Sequence, residues 1–272
     1  MNDSLDKDPW NALRQFTQAR IALGRAGNSL PTAPLLAFNL AHAQARDAVH
    51  HPLDAQALHD ALRAQGIESI DVHSAAPDRE HYLRRPDMGR RLSDESRRAL
   101  AQRQKPARAV DVVFVIGDGL SAFAASKQAV PLLQAVRPKL ELEDWNIGPA
   151  IVARQARVAL GDEIGEVLNA KIVVMLIGER PGLSSPDSLG IYITYAPKTG
   201  CSDAQRNCIS NVRPEGLDYP LAAHKLHYLL TQARKLGLTG VGLKDDSEAL
   251  LESTSAHHPS VSDDSDSSAA PT

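Results

Sequence analysis

Two almost unbroken runs of Val, Ile, Phe and Leu, at residues 110–116 and 171–177, narrow the fold more than any other feature of the sequence. Neither run shows the polar alternation of a half-exposed strand, and both are too short for a buried helix. They fit strands that are dry on both faces, and such strands belong to parallel sheets with helices on either side. The first run follows a Lys105-Pro106 break and meets Gly117, and the second meets Gly178. Helical spacing marks 126–136, 157–169 and 221–236, the last stopped by Gly237, while 191–195 alternates strictly as a further strand. Strands separated by helices of this length read as βαβ units. The expected fold is therefore α/β, an open, doubly wound, mostly parallel sheet of Rossmann-like form over 105–245.

The region before it, 10–104, reads as mainly helical. Trp10, Leu13, Phe16, Ile21 and Leu23 fall near helical spacing on a segment closed by Gly24 and Gly27. Two Ala- and His-rich helices follow at 34–48 and 53–65, the second stopped by Gly66. Only 67–73 reads as a strand there, from Ile67, Ile70 and Val72. Residues 1–9 are polar, and 246–272 is dominated by Ser and Asp, too poor in apolar side chains to offset the entropy of ordering. Both ends are expected to lack order.

Composition excludes several classes. With 30 Lys and Arg against 33 Asp and Glu, the chain lacks the basic excess of a nucleic-acid binder. The longest apolar stretch, 172–177, cannot span a bilayer. Two cysteines and no apolar leader at the start point to a cytoplasmic chain without a disulfide framework. The ten histidines form no H-E-x-x-H set, and neither G-x-S-x-G nor a P-loop occurs.

Four local patterns remain. Gly117-Asp118-Gly119-Leu120-Ser121-Ala122 leaves a buried strand, precedes a helix and matches G-x-G-x-x-A, with Glu141 or Glu143 about twenty residues on. That is the form of a dinucleotide site, and it raises the alternative of an NAD(P)-dependent oxidoreductase. A strand-to-helix turn needs glycine whatever it binds, so a structural turn is the stronger reading. Asp71-x-His73-x-x-Ala76 approaches the D-x-H-x-x-G signature of a histidine that ligates corrin cobalt. It lacks the glycine, and alternate polar residues usually form a strand's solvent face. Glu179 follows the second buried run directly and so stands at a strand's carboxyl end, where ligands of open α/β sheets collect. Pro181 and Gly182 give its loop a set shape. From spacing alone a charged residue capping an ordinary loop is equally served. Six residues separate Cys208 from Cys201, which fits no zinc spacing, and packing or a passive contact suits it best.

Several ordered blocks together resemble the small (light) subunit family of ethanolamine ammonia-lyase, from about residue 20 to about 236. They are Gly24-Arg25-Ala26-Gly27 with Pro31-Thr32, Tyr82-Leu83 with Arg85-Pro86-Asp87-Met88-Gly89-Arg90-Arg91-Leu92, and Asp118-Gly119-Leu120-Ser121. Arg157-Val158 with Ile164-Gly165-Glu166, Gly178-Glu179-Arg180-Pro181-Gly182-Leu183 and Cys208-Ile209-Ser210-Asn211 complete the series. The resemblance implies a chain that is inactive alone and pairs with a large, barrel-shaped catalytic subunit in a higher hetero-oligomer. It implies adenosylcobalamin enclosed between the two, serving conversion of ethanolamine to acetaldehyde and ammonia by a radical route begun by cobalt–carbon homolysis. By motif, the family's cobalamin contacts fall on Val158, Glu179 and Cys208, with no catalytic residue in this chain. Family members that enter bacterial microcompartments carry a longer N-terminal extension, whereas nine polar residues stand before Trp10 here. A scaffold subunit without cofactor contact is the remaining alternative.

Overall fold

The computed structural model describes residues 8–103 and 108–248. The Lys105-Pro106 break and most of both polar ends lie outside the described residues. Of the rest of those ends, Asp8 caps the first turn and Ser247 is buried.

Four α-helices and one strand precede the two buried runs along the chain: α1 (Thr32–His50), α2 (Ala55–Ala64), β1 (Ser69–His73), α3 (Arg79–Arg84) and α4 (Asp94–Ala101). Then come β2 (Val112–Gly117), α5 (Ala122–Leu142), β3 (Ala150–Arg154), α6 (Leu160–Val167), β4 (Ile172–Gly178), β5 (Leu189–Tyr195), β6 (Arg206–Val212) and α7 (Tyr219–Leu236). The six strands form one mixed sheet in the order β1-β3-β2-β4-β5-β6. β1, β3, β2 and β4 run parallel, as the buried runs imply, while β5 and β6 are antiparallel additions. The strand from the front region is thus an edge of the same sheet, paired with β3 through Ser69↔Ala150 to His73↔Arg154.

The alternation of the pleat sorts β2 and β4 between two cores. Val112, Phe114, Ile116, Ile172, Val174 and Leu176 face α2, α5 and α7. Val113, Val115, Val173, Met175 and Ile177 face the side covered by α6 and by Leu92 and Leu100. All of these side chains are essentially inaccessible, which is why both strands read as continuous apolar runs.

Several elements differ from expectation. In place of a helix over 10–23, a 3-10 helix spans Pro9–Phe16 and the chain then runs without regular structure to residue 31. Trp10, Leu13 and Phe16 repeat every three residues, the 3-10 period, and a short segment with no body to pack on gains too little to nucleate an α-helix. α5 is longer than expected and passes through Pro131 and Pro138. Its Ser121 cap and a buried stripe from Ala122 to Leu140 outweigh the lost donors. α6 begins only at Leu160, because the Arg157 N–H donates to Gly89 O and Val158 opens a turn.

A buried ion pair fixes α6 to the far side of the sheet. Arg206 of β6 donates to Asp162 of α6 with both side chains at most 2% exposed, and also donates to the carbonyls of Cys201 and Ser202. Burial, outweighing Arg206, pushes the Asp162 carboxyl up to about 6. In the unfolded chain a carboxyl gives up its proton near about 4, so between these values the folded chain holds the extra proton. This group therefore adds stability below about pH 4 that is lost as pH rises through about 6. Urea unfolding at pH 4 and 7 should show the wild type losing about 1–3 kcal/mol more over this interval than Asp162→Asn. An equal pH dependence of the two proteins contradicts the assignment.

Candidate functional site

The Gly117–Ala122 turn is closed by the protein itself. Gly119, at φ +56°, lies so close to β4 that a Cβ there would stand 2.2 Å from Gly178 O, and a Cβ on Gly178 would stand 1.9 Å from Ser121 O. The Leu120 N–H donates to Gly178 O at 2.9 Å, and the Ser121 hydroxyl caps α5 through the Ala124 N–H while donating to Pro186 O. Asp118, 2% exposed, accepts the Gln155 and Ala156 N–H groups at 2.8 Å each and meets Arg79 at 3.5 Å. It thereby fills the crevice where the connections leaving β2 and β3 part to opposite faces, the usual dinucleotide position. The glycines serve backbone contact, and the turn is structural.

Glu179, Val158 and Cys208 lie on one face of the sheet. Glu179 continues the alternation of Met175 and Ile177 beyond the end of β4. The pairing Met175↔Tyr192↔Cys208 puts Cys208 in the same row as Met175, on the outermost strand. Val158 packs on this core from the β3–α6 turn, just ahead of Gly161 in α6, where a Cβ would stand 3.6 Å from Met175. α6 covers the face as far as Thr194 and Arg206, both buried, whereas Tyr192 is half-buried and Cys208 and Ser210 are exposed. The uncovered part of the face thus begins at the Tyr192–Cys208 row.

Glu179 lies back across β5 because Gly190 leaves room: a Cβ there would come within 3.1 Å of Glu179 Oε1. Its Oε2 accepts from the Ser188 hydroxyl and from the Asn211 N–H at 3.3 Å. Among the described residues Oε1 accepts no hydrogen bond, so one acceptor of an oriented carboxylate stays free. Tyr192, which sequence patterning marks only as part of a strand, stands between the two candidates. Burial, then the neighbouring Cys208 thiol and Glu179 carboxylate, raise its hydroxyl above the ordinary tyrosine value. Cys208 Sγ lies 3.4 Å from Ser210 Oγ.

The other patterns do not assemble a site. Asp71 pairs with Arg154 at 2.6 Å, and His73 Nδ1 lies 2.7 Å from Ser74 O, each a local contact at an edge strand. Cys201 uses its carbonyl to hold Arg206. Among the described residues no three His, Cys, Asp or Glu side chains converge as a metal site, and no helix is long and apolar enough to cross a membrane.

A profile of the ethanolamine ammonia-lyase light chain (EutC) matches residues 7–244, which includes every element of this fold. The chain belongs to the ethanolamine ammonia-lyase light-chain family. The ethanolamine ammonia-lyase small subunit of Azotobacter vinelandii is 55% identical over 243 residues, covering 89% of this chain and 90% of that one. Those of Pseudomonas fluorescens (54% over 243 residues) and Ralstonia nicotianae (54% over 249 residues, 91% and 92% covered) are similar to the same extent. Membership makes the chain part of a lyase complex.

Two outcomes check the geometry. Titration with NADH should leave the nucleotide's fluorescence unchanged, and a saturable change would reopen the dinucleotide reading. Gly178→Ala should lower the urea midpoint by an amount equivalent to about 1–3 kcal/mol or more, because its methyl group meets backbone that cannot move aside alone.

Proposed function

We propose that this light-chain family member holds adenosylcobalamin against a large catalytic subunit during conversion of ethanolamine to acetaldehyde and ammonia. The observation that carries this reading is the free Oε1 of Glu179, aimed from a strand's carboxyl end over a face that α6 leaves uncovered. A corrin is a broad ring rimmed with carboxamides, and its N–H groups need acceptors once buried. A carboxylate braced by Ser188 and Asn211 supplies one without rotating away. Val158 offers apolar surface on the same face, and Cys208 a small, soft contact on the outer strand that lets a large ring approach closely. Tyr192, between Glu179 and Cys208, adds an aromatic edge and a hydroxyl. When bound, the cofactor supplies the radical by homolysis of its cobalt–carbon bond.

The division of labour follows from this chemistry. Glu179 accepts, Val158 and Cys208 exclude water, and none of the three donates or removes a proton from substrate. Ethanolamine deamination should therefore require the large subunit, and turnover by the purified single chain would overturn the reading. Glu179→Ala removes one charge-assisted hydrogen bond, worth about 1.5–3 kcal/mol. That corresponds to roughly ten- to more than hundredfold weaker cobalamin binding by the complex. The circular dichroism of the chain should be unchanged, because the side chain closes no core. Unaltered cobalamin affinity would remove Glu179 from the site.

A further inference from the structure

Residues 10–40 expose apolar side chains that the rest of the fold does not use. Trp10 is 65% and Phe16 79% exposed, and with Leu13 they line one edge of the 3-10 helix. Leu36 and Leu40 are each 61% exposed on the first half of α1, with Phe38 beside them. The residues α1 buries, Ala41 and Ala48, lie at its midpoint and beyond, so the turns before Ala41 bury no residue. Apolar surface of this extent is rare on a chain that functions alone.

The charge of the same stretch is one-sided. Residues 9–46 carry Arg14, Arg20, Arg25 and Arg46 and contain no Asp or Glu. The stretch is also joined to the site: Arg20 donates through Nη2 to Leu183 O at 3.1 Å and lies 3.4 Å from Ser184 Oγ. That loop begins at Glu179. We propose that residues 10–40 form the surface on which a larger companion subunit closes, through an apolar groove rimmed with carboxylates, and that Arg20 joins this surface to the Glu179 loop. The inference rests on the reading given under Proposed function. An acidic rim fits an arm that carries only positive charge, and continuity with the Glu179 loop lets one partner bury arm and site together. The chain's own carboxyl-terminal stretch offers acids, but from residue 249 onward its large aliphatic side chains are Leu250, Leu251 and Val261 alone, too few to cover this surface.

The test titrates the full chain against the large subunit, produced separately, and compares wild type with the double variant Leu36→Asp/Leu40→Asp and with Phe16→Ser. Both variants change exposed positions, so melting temperature and circular dichroism should match wild type. Affinity for the large subunit should fall at least tenfold in the double variant and measurably in Phe16→Ser. Wild-type affinity in both overturns the proposal. So does a result in which Leu36→Asp/Leu40→Asp abolishes self-association of the isolated chain, or its flotation with phosphatidylserine vesicles, while binding to the large subunit is intact. Those outcomes assign the surface to a second copy or to lipid. If wild type itself fails to bind the large subunit, the companion reading falls and this surface with it; if only the variants bind normally, the function stands and the surface is elsewhere.

Discussion

β2 and β4 exist as strands only while both of their faces are dry, and most of the architecture answers that requirement. Their side chains alternate between two cores, so helices are needed on each side: α2, α5 and α7 on one, α4 and α6 on the other. Such burial stabilises by about 25 cal/mol per Å² of apolar surface removed from water. The cost is geometric, since connections between central strands must pass tightly over the sheet's carboxyl end. Gly119 and Gly178 meet backbone to backbone there, and Asp118 ties the β2 turn to the chain beyond β3. The position at which other open α/β sheets admit a nucleotide is consumed by packing, and the loop that departs from β4 carries the remaining candidate contact, Glu179.

How much of this was legible follows from which residues carry pattern. β2 and β4 could be read because a strand buried twice has no polar positions, and α2 and α7 because Gly66 and Gly237 adopt positive φ at their ends. β3 escaped notice as a five-residue strand whose Arg154 turns out to solvent. β6 escaped because an edge strand keeps only Arg206, Ile209 and Val212 buried and otherwise resembles a polar loop. The antiparallel direction of β5 was not legible, since alternation identifies a strand without giving its direction. Of the site, Glu179 was visible as the residue after a buried run. Cys208 stood out only as a cysteine that fits no zinc spacing, and Val158 entered only through family resemblance, because neither sits in a pattern with chemistry of its own. Tyr192 stayed hidden, since its place beside Cys208 is set by the β5–β6 register. Register depends on partners that no local stretch of sequence names.

The change from parallel to antiparallel pairing is what leaves one face of the sheet's outer half uncovered. Crossover helices cover both sides of a parallel strand pair, whereas a hairpin-type addition needs no crossover and can leave one side to water. Here α7 covers β5 and β6 on the face of Ile191, Ile193 and Ile209, while on the other face α6 ends its cover at Thr194 and Arg206. The buried Asp162–Arg206 pair fixes where that cover stops. One row further, Tyr192 and Cys208 emerge, and beyond them Glu179 lies across Gly190. A longer α6 or an additional crossover would have dried this face as it dried β2 and β4. The open side of the sheet is thus a product of topology, and the side chains on it then decide what it can hold.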